Sequence, residues 1–346
     1  MQQLDELSTI KIIQWAAWKT GRRGQAAAAF ISKGKGQVIG KAGVFLMKAR
    51  KKPISKMARR EARNFYLYTA PWLIGFLVLT LYPMLYSLYL SFTNMNLTGQ
   101  GKFVGLENFI YAFTKDPLFF KTFGNTLKYV VMFVPSSLIL AFFIALLLSK
   151  KVKGLGFFRT AFYIPYITSG VAVTILWGWI FNVDYGIINY VLSLVGIKGP
   201  NWLGNQKMAM VSIVILSLWT IGNNIIIMLA GIQDIPVSYY ESAQIDGAGA
   251  LRQVFSITLP LCTPTIYFNL IVTFISAFQI FQQPFILTNG GPLNATYTIS
   301  MHLYNNGFLY GKMGYASMLA WGLFIVIMII TLIVQKSSKY WVFYDD

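Results

Sequence analysis

Six long apolar stretches, separated by short polar connectors, constrain what this chain of 346 residues can fold into more than any other feature. An α-helix needs about 20 apolar residues to cross the hydrocarbon core of a bilayer. By that measure the spans are predicted at 66–92, 126–149, 160–181, 208–231, 262–287 and 314–335. Only 12% of the residues are charged, against about 25% in soluble domains. The sequence therefore predicts an all-α, polytopic membrane protein with six transmembrane helices.

The distribution of basic residues predicts how these spans are oriented. Residues 1–63 hold 15 Lys or Arg and three acidic residues, and a basic segment beside a first span stays on the cytoplasmic side, near anionic lipid head groups. With the N-terminus inside, 22 basic residues lie on the inner side and seven on the outer side, which accounts for all 29. Both termini are thus predicted to be cytoplasmic. This distribution accounts for the net charge of +18 without a nucleic-acid partner.

Ionisable residues are nearly absent from the predicted spans. Apart from Lys128 and Arg159 at the edges, the spans contain no Asp, Glu, Lys, Arg or His. Carriers driven by a proton gradient usually place such groups inside the membrane, although sodium coupling through carbonyl oxygens stays open. The only histidine is His302, and no paired carboxylates or Ser/His/Asp set lies at a membrane face. No catalytic or metal-binding residue is predicted.

A loop of about 30 residues connects the fourth and fifth predicted spans on the cytoplasmic side. Pro236 suits the first position of a short helix, and Gly247 and Gly249 are typical of its end. A second short helix is expected at about 250–257. A short helix with small residues on one face can dock into a groove of a partner, or it can simply link two spans.

The residues of this loop resemble a known motif. Glu241, Ser242, Ala243, Asp246 and Gly247, with Leu259 and Pro260 further on, are similar to the EAA loop of permease subunits of binding-protein-dependent ABC importers. Ser242 stands where the family more often has Ala.

Other segments resemble the carbohydrate-type, maltose-permease-like branch of that family. They include the Leu-Thr-Asn-Gly-Gly-Pro sequence at 287–292 and the Arg-Thr-x-Phe-Tyr-Ile-Pro sequence at 159–165. The resemblance runs from about Tyr66 to the C-terminus and leaves residues 1–63 as an extension. It implies the type I permease fold over 64–346, with a coupling loop at 233–257.

The resemblance also implies function and partners. The chain would be the non-catalytic permease subunit of a sugar or oligosaccharide importer in the bacterial cytoplasmic (plasma) membrane, forming half of the translocation pathway. A second, similar permease would form a heterodimer with it. Two cytoplasmic ATP-binding subunits would hold ATP and Mg²⁺, and an extracellular or periplasmic sugar-binding protein would deliver the substrate. The chain itself would need no cofactor. The residues expected at the ATP-binding subunit are Tyr240, Glu241, Ser242, Ala243, Asp246 and Gly247. The alternative is an ion-coupled secondary carrier.

Uncharged polar residues inside the fourth and fifth spans are the candidates for binding the sugar. They recur at helical spacing, and polar side chains in lipid face the protein interior or a wet cavity. The candidate residues are Ser217, Thr220, Asn224, Thr273, Ser276, Gln279, Ile280 and Gln283. Trp219, Tyr163 and Tyr267 could supply aromatic faces for sugar rings. The competing interpretation is that the polar residues hold helices together, as Ser, Thr and Asn often do.

Overall fold

The computed structural model describes residues 56–150 and 154–343. The chain divides into two compact units, of which the second begins at Phe76. The described part of the first unit is one helix, α1, Lys56–Gly75. Most of the predicted extension 1–63 lies outside the described residues, so the domain division at residue 63 stays a prediction.

The second unit is built from helices joined by short connections. In chain order they are α2 Tyr82–Ser91, α3 Glu107–Thr114, α4 Phe119–Ser149, α5 Leu155–Ile167, α6 Gly170–Ile180, α7 Ile187–Leu194, α8 Ala209–Trp219, α9 Gly222–Gln233, α10 Val237–Ile245, α11 Ala250–Gln253, α12 Leu259–Leu261, α13 Thr263–Phe278, α14 Gln282–Thr288, α15 Ile299–Tyr304 and α16 Met313–Ser338. Short π-helical segments occupy Phe76–Leu81, Val254–Thr258 and Asn305–Leu309. The predicted all-α class is confirmed.

Three helical stretches are long and apolar enough to cross a membrane unbroken: Arg59–Ser91, Phe119–Ser149 and Met313–Ser338. Three more candidates are pairs of helices that meet at a sharp bend. Counting each pair as one span gives up to six spans among the described residues, which agrees with the predicted number.

The sequence predicts kinks at interior prolines such as Pro165 and Pro284, and the structure bends three of the spans more sharply, each between two separate helices. The third span bends by 98° between α5 and α6, and the fourth by 51° between α8 and α9. The helix that enters the fifth span bends by 64° at Cys262. That span was predicted to run to residue 287, but its helix ends at Phe278 and resumes as α14. Pro165 lies inside α5, two residues before its end and close to the first of these bends.

The core forms two buried clusters stacked along α4. In one, Tyr129, Val130 and Val134 of α4 pack with residues of α8, α13 and α16. In the other, Ala141 and Ala145 pack with α9 and with Cys262. Both alanines are fully buried, and small residues let helix backbones approach closely within a membrane.

These clusters define two ends of the bundle. Leu148 at the last turn of α4 shares a cluster with Ile235 and Cys262, which flank the loop that contains α10; we call this the α10 end. At the other end of α4, the Thr126 hydroxyl accepts a hydrogen bond from the Ile299 N–H at the start of α15, at 3.0 Å. We call this the α15 end.

Candidate functional site: a polar cavity where three helices are broken

Three interruptions of the helices converge on one cavity. The residues between α5 and α6, those between α8 and α9, and those between α13 and α14 contribute Thr168, Thr220, Ile221, Gln279, Ile280 and Phe281 to its wall. Non-helical backbone at membrane depth is stable only where protein buries it or where it lines a wet cavity. In transporters, such discontinuous helices surround the substrate site.

The cavity measures about 530 Å³, which falls in the range of small-molecule sites. None of its described lining residues is charged. Its wall combines amides and hydroxyls with the aromatic side chains of Tyr129, Phe133, Tyr166 and Phe281. The arrangement suits a neutral ligand that presents both hydroxyl groups and apolar faces.

All eight residues predicted to bind substrate line this one cavity, on α8, α9, α13, α14 and the interruptions between them. Ser217 and Thr220 come from the fourth span, and Gln279 and Gln283 from the fifth. Asn224 donates a hydrogen bond from Nδ2 to Oγ1 of Thr273 at 2.8 Å. The sequence therefore identified residues that share a surface, while their role in binding stays a prediction.

Hydrogen bonding sorts these eight residues into two groups. Ser217 is only 2% exposed. Its hydroxyl donates a hydrogen bond to the Ile213 carbonyl and accepts one from the Tyr129 hydroxyl at 2.9 Å. Thr220 and Ser276 donate back to carbonyls of their own helices. By contrast, no hydrogen bond joins the side-chain amide of Gln279 or Gln283 to another described residue, and the same is true of Asn223. These three side chains are therefore free to bind a ligand, whereas Ser217 is committed to packing.

The aromatic residues at the cavity are not those expected from the sequence. Trp219 packs edge-on against Trp177 at 5.9 Å, and Tyr267 packs against Trp341 at 6.0 Å. Neither these two nor Tyr163 lines the cavity. Tyr129 and Phe133 do, stacked at 5.2 Å on α4. The sequence offered a signal, because these rings stand four residues apart on one face of the second predicted span.

Several further lining residues were missed, chiefly on α5, α6 and α14: Pro165, Tyr166, Thr168, Gly170, Asn223, Val272, Ala277 and Gln282. The sharp bend between α5 and α6 carries the first four of them to the cavity. A Cβ at Gly170 would stand 3.0 Å from the side-chain amide of Gln282, so α6 and α14 approach closely at this point.

The loop at the α10 end forms the predicted short helix, α10. Pro236 lies just before it as the N-cap, not at its first helical position as predicted. Its end is a Schellman motif: Gly247 has φ +75°, its N–H donates to the Gln244 carbonyl, and the Ala248 N–H donates to the Ala243 carbonyl. Gly247 thus has a conformational role that does not depend on any partner.

The residues expected at the ATP-binding subunit fall on different sides of α10. Glu241, Ser242, Asp246 and Gly247 are exposed, and Ala243 is half-buried. Tyr240 instead faces its own chain, where its hydroxyl lies 3.0 Å from that of Thr258. Ile245 is 87% exposed and Val237 66%, so the loop also presents large apolar side chains.

Known proteins identify the family. The model of the family described as binding-protein-dependent transport system inner membrane component matches residues 117–339. The chain belongs to this family. The match decides between the two transport hypotheses in favour of the binding-protein-dependent permease and against the ion-coupled carrier.

Individual relatives of this permease are similar over most of its length. The probable ABC transporter permease protein YesP of Bacillus subtilis is 42% identical, over 84% of this chain and 96% of its own. The arabinooligosaccharides transport system permease protein AraP of the same organism is 36% identical, over 79% and 88%. The trehalose/maltose transport system permease protein MalF of Thermococcus litoralis is 32% identical, over 83% and 97%.

A solved structure shares the fold of the permease. A chain of a bacterial alginate ABC transporter, crystallised in complex with an alginate pentasaccharide-bound periplasmic protein, superposes with a TM-score of 0.69. The match covers 82% of this chain and 98% of that chain at 23% identity.

Proposed function

We propose that this chain is one of two permease subunits of an ABC importer and that an uncharged sugar or oligosaccharide passes through the cavity described above. The observation that carries the proposal is the convergence of three helix interruptions on a polar, uncharged wall. The names of AraP and MalF, which refer to oligosaccharides and to trehalose and maltose, support a carbohydrate.

The chemistry of the wall fits a sugar. Each sugar hydroxyl both donates and accepts hydrogen bonds, and so does a carboxamide. Gln279, Gln283 and Asn223 can therefore exchange hydrogen bonds with a ligand without giving up bonds inside the protein. Apolar ring faces of a sugar pack on aromatic side chains, which Tyr166 and Phe281 place in the same wall.

The loop that contains α10 is the proposed contact with a cytoplasmic ATP-binding subunit. Glu241 supplies a charged anchor, and the exposed Val237 and Ile245 supply apolar area, the combination expected where a helix docks in a groove. ATP and Mg²⁺ would bind that subunit. Closure of two such subunits would pull on α10 and bias the spans between two arrangements, as coupling of binding sites requires.

The orientation follows from the same contact. We place the α10 end in the cytoplasm together with both termini, in the bacterial plasma membrane, as the distribution of Lys and Arg indicates. The α15 end then faces outward, toward a solute-binding protein that delivers the sugar. A second, homologous permease completes the pathway.

The test is uptake by the reconstituted complex. Proteoliposomes that contain this chain, its partner permease and the ATP-binding subunits, with the binding protein outside, should accumulate a labelled oligosaccharide from a panel only when ATP is inside. Vesicles whose ATP-binding subunits cannot hydrolyse ATP are the control. Accumulation by this chain alone, driven by a sodium or proton gradient, would refute the proposal.

A further inference from the structure

A buried polar cluster lies at the α15 end, outside the cavity. Asp116, in the connection between α3 and α4, accepts from the His302 ring at Nε2, 2.7 Å away, and from the Tyr315 hydroxyl. Its other oxygen accepts from the Leu118 N–H at 2.8 Å. The side chains of Asp116 and His302 are only 7% and 6% exposed. One carboxylate therefore ties the start of α4 to α15 and α16.

This cluster is connected to the cavity through α15. Thr298 is the N-cap of that helix and accepts a hydrogen bond from the Met301 N–H. Its hydroxyl also donates to the Ile280 carbonyl at 3.0 Å. Ile280 lies in the interruption between α13 and α14, so this bond satisfies a carbonyl in the wall of the cavity.

Aromatic packing makes a second connection between α15 and the interruption. The ring of Tyr304, at the end of α15, lies 5.1 Å from that of Phe281 and 5.5 Å from that of Phe285. Phe281 also lines the cavity. Both ends of α15 thus hold the segment that presents Gln279, Ile280 and Gln283.

Beside the cluster, where the Tyr297 hydroxyl lies 3.4 Å from Nδ1 of His302, one buried polar atom has no hydrogen-bond partner among the described residues. The Asn305 side chain donates to the Tyr297 hydroxyl at 2.8 Å, but its Oδ1 is buried without a hydrogen-bond partner among the described residues. Asn305 begins the π-helical segment Asn305–Leu309, and such segments often mark functional positions. A buried acceptor left without a partner is costly, so this segment is less stably held than the bonds around Asp116.

We propose that Asp116 and His302 form a clamp at the α15 end that positions the interruption between α13 and α14, and with it the glutamine side of the cavity. With the clamp closed, α15 holds Ile280 and Phe281 in the arrangement described here. Release of the clamp leaves α15 joined to α4 only through bonds near its N-terminus, such as that from the Ile299 N–H to Thr126. The rest of α15 can then shift with the interruption, which opens the cavity toward the α15 end. The inference rests on the proposed function only in taking the cavity to be the place where a sugar binds. The link from the clamp to the cavity wall does not depend on it.

The experiment measures access to the cavity without using a sugar. Ile280→Cys places a thiol in the wall at a position that is only 6% exposed, and the native Cys262 is fully buried. The assembled complex in proteoliposomes is treated with a charged, membrane-impermeant methanethiosulfonate, and the rate of modification is followed by mass spectrometry. The chain that retains only Cys262 reports the background.

Four variants in the Ile280→Cys chain separate the clamp from general loosening. His302→Leu removes the donor to Asp116 and should raise the modification rate about tenfold, the factor expected when a local opening equilibrium loses a hydrogen bond to a charged group. His302→Gln keeps an N–H donor and should restore protection. Thr298→Val leaves the clamp intact but cuts its link to Ile280, and should behave like His302→Leu. Ser87→Ala removes a neutral side-chain bond between α2 and α16, from the Trp321 indole N–H, and should change nothing.

Two outcomes overturn the clamp: equal modification rates for His302→Leu and the parent, or an equal rise for Ser87→Ala. The result is independent of whether the cavity binds a sugar. If substitutions at Gln283 leave uptake of every sugar unchanged while His302→Leu still raises access, the proposed function fails and the clamp stands.

Discussion

Asn224 and Thr273 join α9 to α13 inside the cavity through a single side-chain hydrogen bond, from the Asn224 amide nitrogen to the Thr273 hydroxyl oxygen at 2.8 Å. The pair lies at the meeting point of the fourth and fifth spans, and both residues belong to the wall. Substitutions of this pair therefore test directly whether the polar residues contact the substrate or only hold helices together.

Asn224→Ala should raise the KM for sugar uptake roughly two- to tenfold, the worth of one neutral hydrogen bond to the ligand. Thr273→Val should raise the KM to a similar extent, because it leaves the Asn224 amide without its partner. Uptake kinetics and the thermal midpoint of the complex, measured side by side, check this. If both variants lower the midpoint but keep the wild-type KM, the pair serves packing alone.

Glu241→Ala should weaken binding of the ATP-binding subunit by roughly tenfold or more, because a charged group at an interface would be lost. Co-purification and sugar-stimulated ATP hydrolysis measure the effect. Gln244→Ala is the matched control, since Gln244 is also exposed on α10 and lies outside the resemblance to the EAA loop. If Glu241→Ala assembles and transports like the wild type, Glu241 is not part of the contact with the ATP-binding subunit.

Gly247→Ala should destabilise the loop at the α10 end by about 1–2 kcal/mol, because an L-residue is strained at φ +75°. No atom lies within 4 Å of the added Cβ, so the cost is conformational and not steric. Gly249→Ala is the control, with φ −67° and equally open surroundings. Hydrogen exchange across α10 should rise in the first variant only, and an equal rise in both would contradict the backbone explanation.

Gly222→Ala should lower the stability of the whole bundle by several kcal/mol, because its Cβ would stand 2.4 Å from the backbone oxygen of Phe162. The helices α5 and α9 would have to move apart at the start of α9. Gly124→Ala adds the same methyl in α4, where nothing lies within 4 Å. Thermal unfolding in detergent should distinguish the two variants, and a Gly222→Ala chain as stable as Gly124→Ala would contradict the close approach.

Asp116 predicts a pH dependence of stability. Burial raises the pKa of Asp116, but hydrogen bonds from Tyr315, the Leu118 N–H and His302 outweigh it and hold that pKa below its ordinary value of 3.8. The unfolded chain therefore binds the proton more readily, so the stabilisation is present above about pH 4 and is lost as the pH falls through the lowered pKa. Asp116→Asn should flatten this part of a stability–pH profile. If the stability of that variant falls as steeply at acidic pH as the stability of the wild type, the prediction is wrong.

The spans and the loop that contains α10 could be predicted because their signals are local. Apolar length identifies a span whatever it packs against, and Gly247 marks the end of α10 because few other residues adopt its backbone conformation. The polar residues of the fourth and fifth spans were found for a similar reason, since Asn224 and Thr273 had no stable place except against another polar group.

The interruptions could not be predicted in the same way. Nothing in the apolar stretch around Thr220 and Ile221 breaks a helix by itself; the bend accompanies the close contact of Gly222 with α5. Likewise, Asp116 and His302 are 186 residues apart in the sequence, and each alone looks like an ordinary loop or helix residue. Contacts between distant segments decide both features, and a single sequence does not reveal them.

The three interruptions line one cavity, so each of these spans consists of two helical segments that meet beside it. If the segments tilt about these junctions, as the proposed function requires, the residues at the junctions move least. A sugar bound there would then change the membrane face to which it is exposed while keeping its contacts.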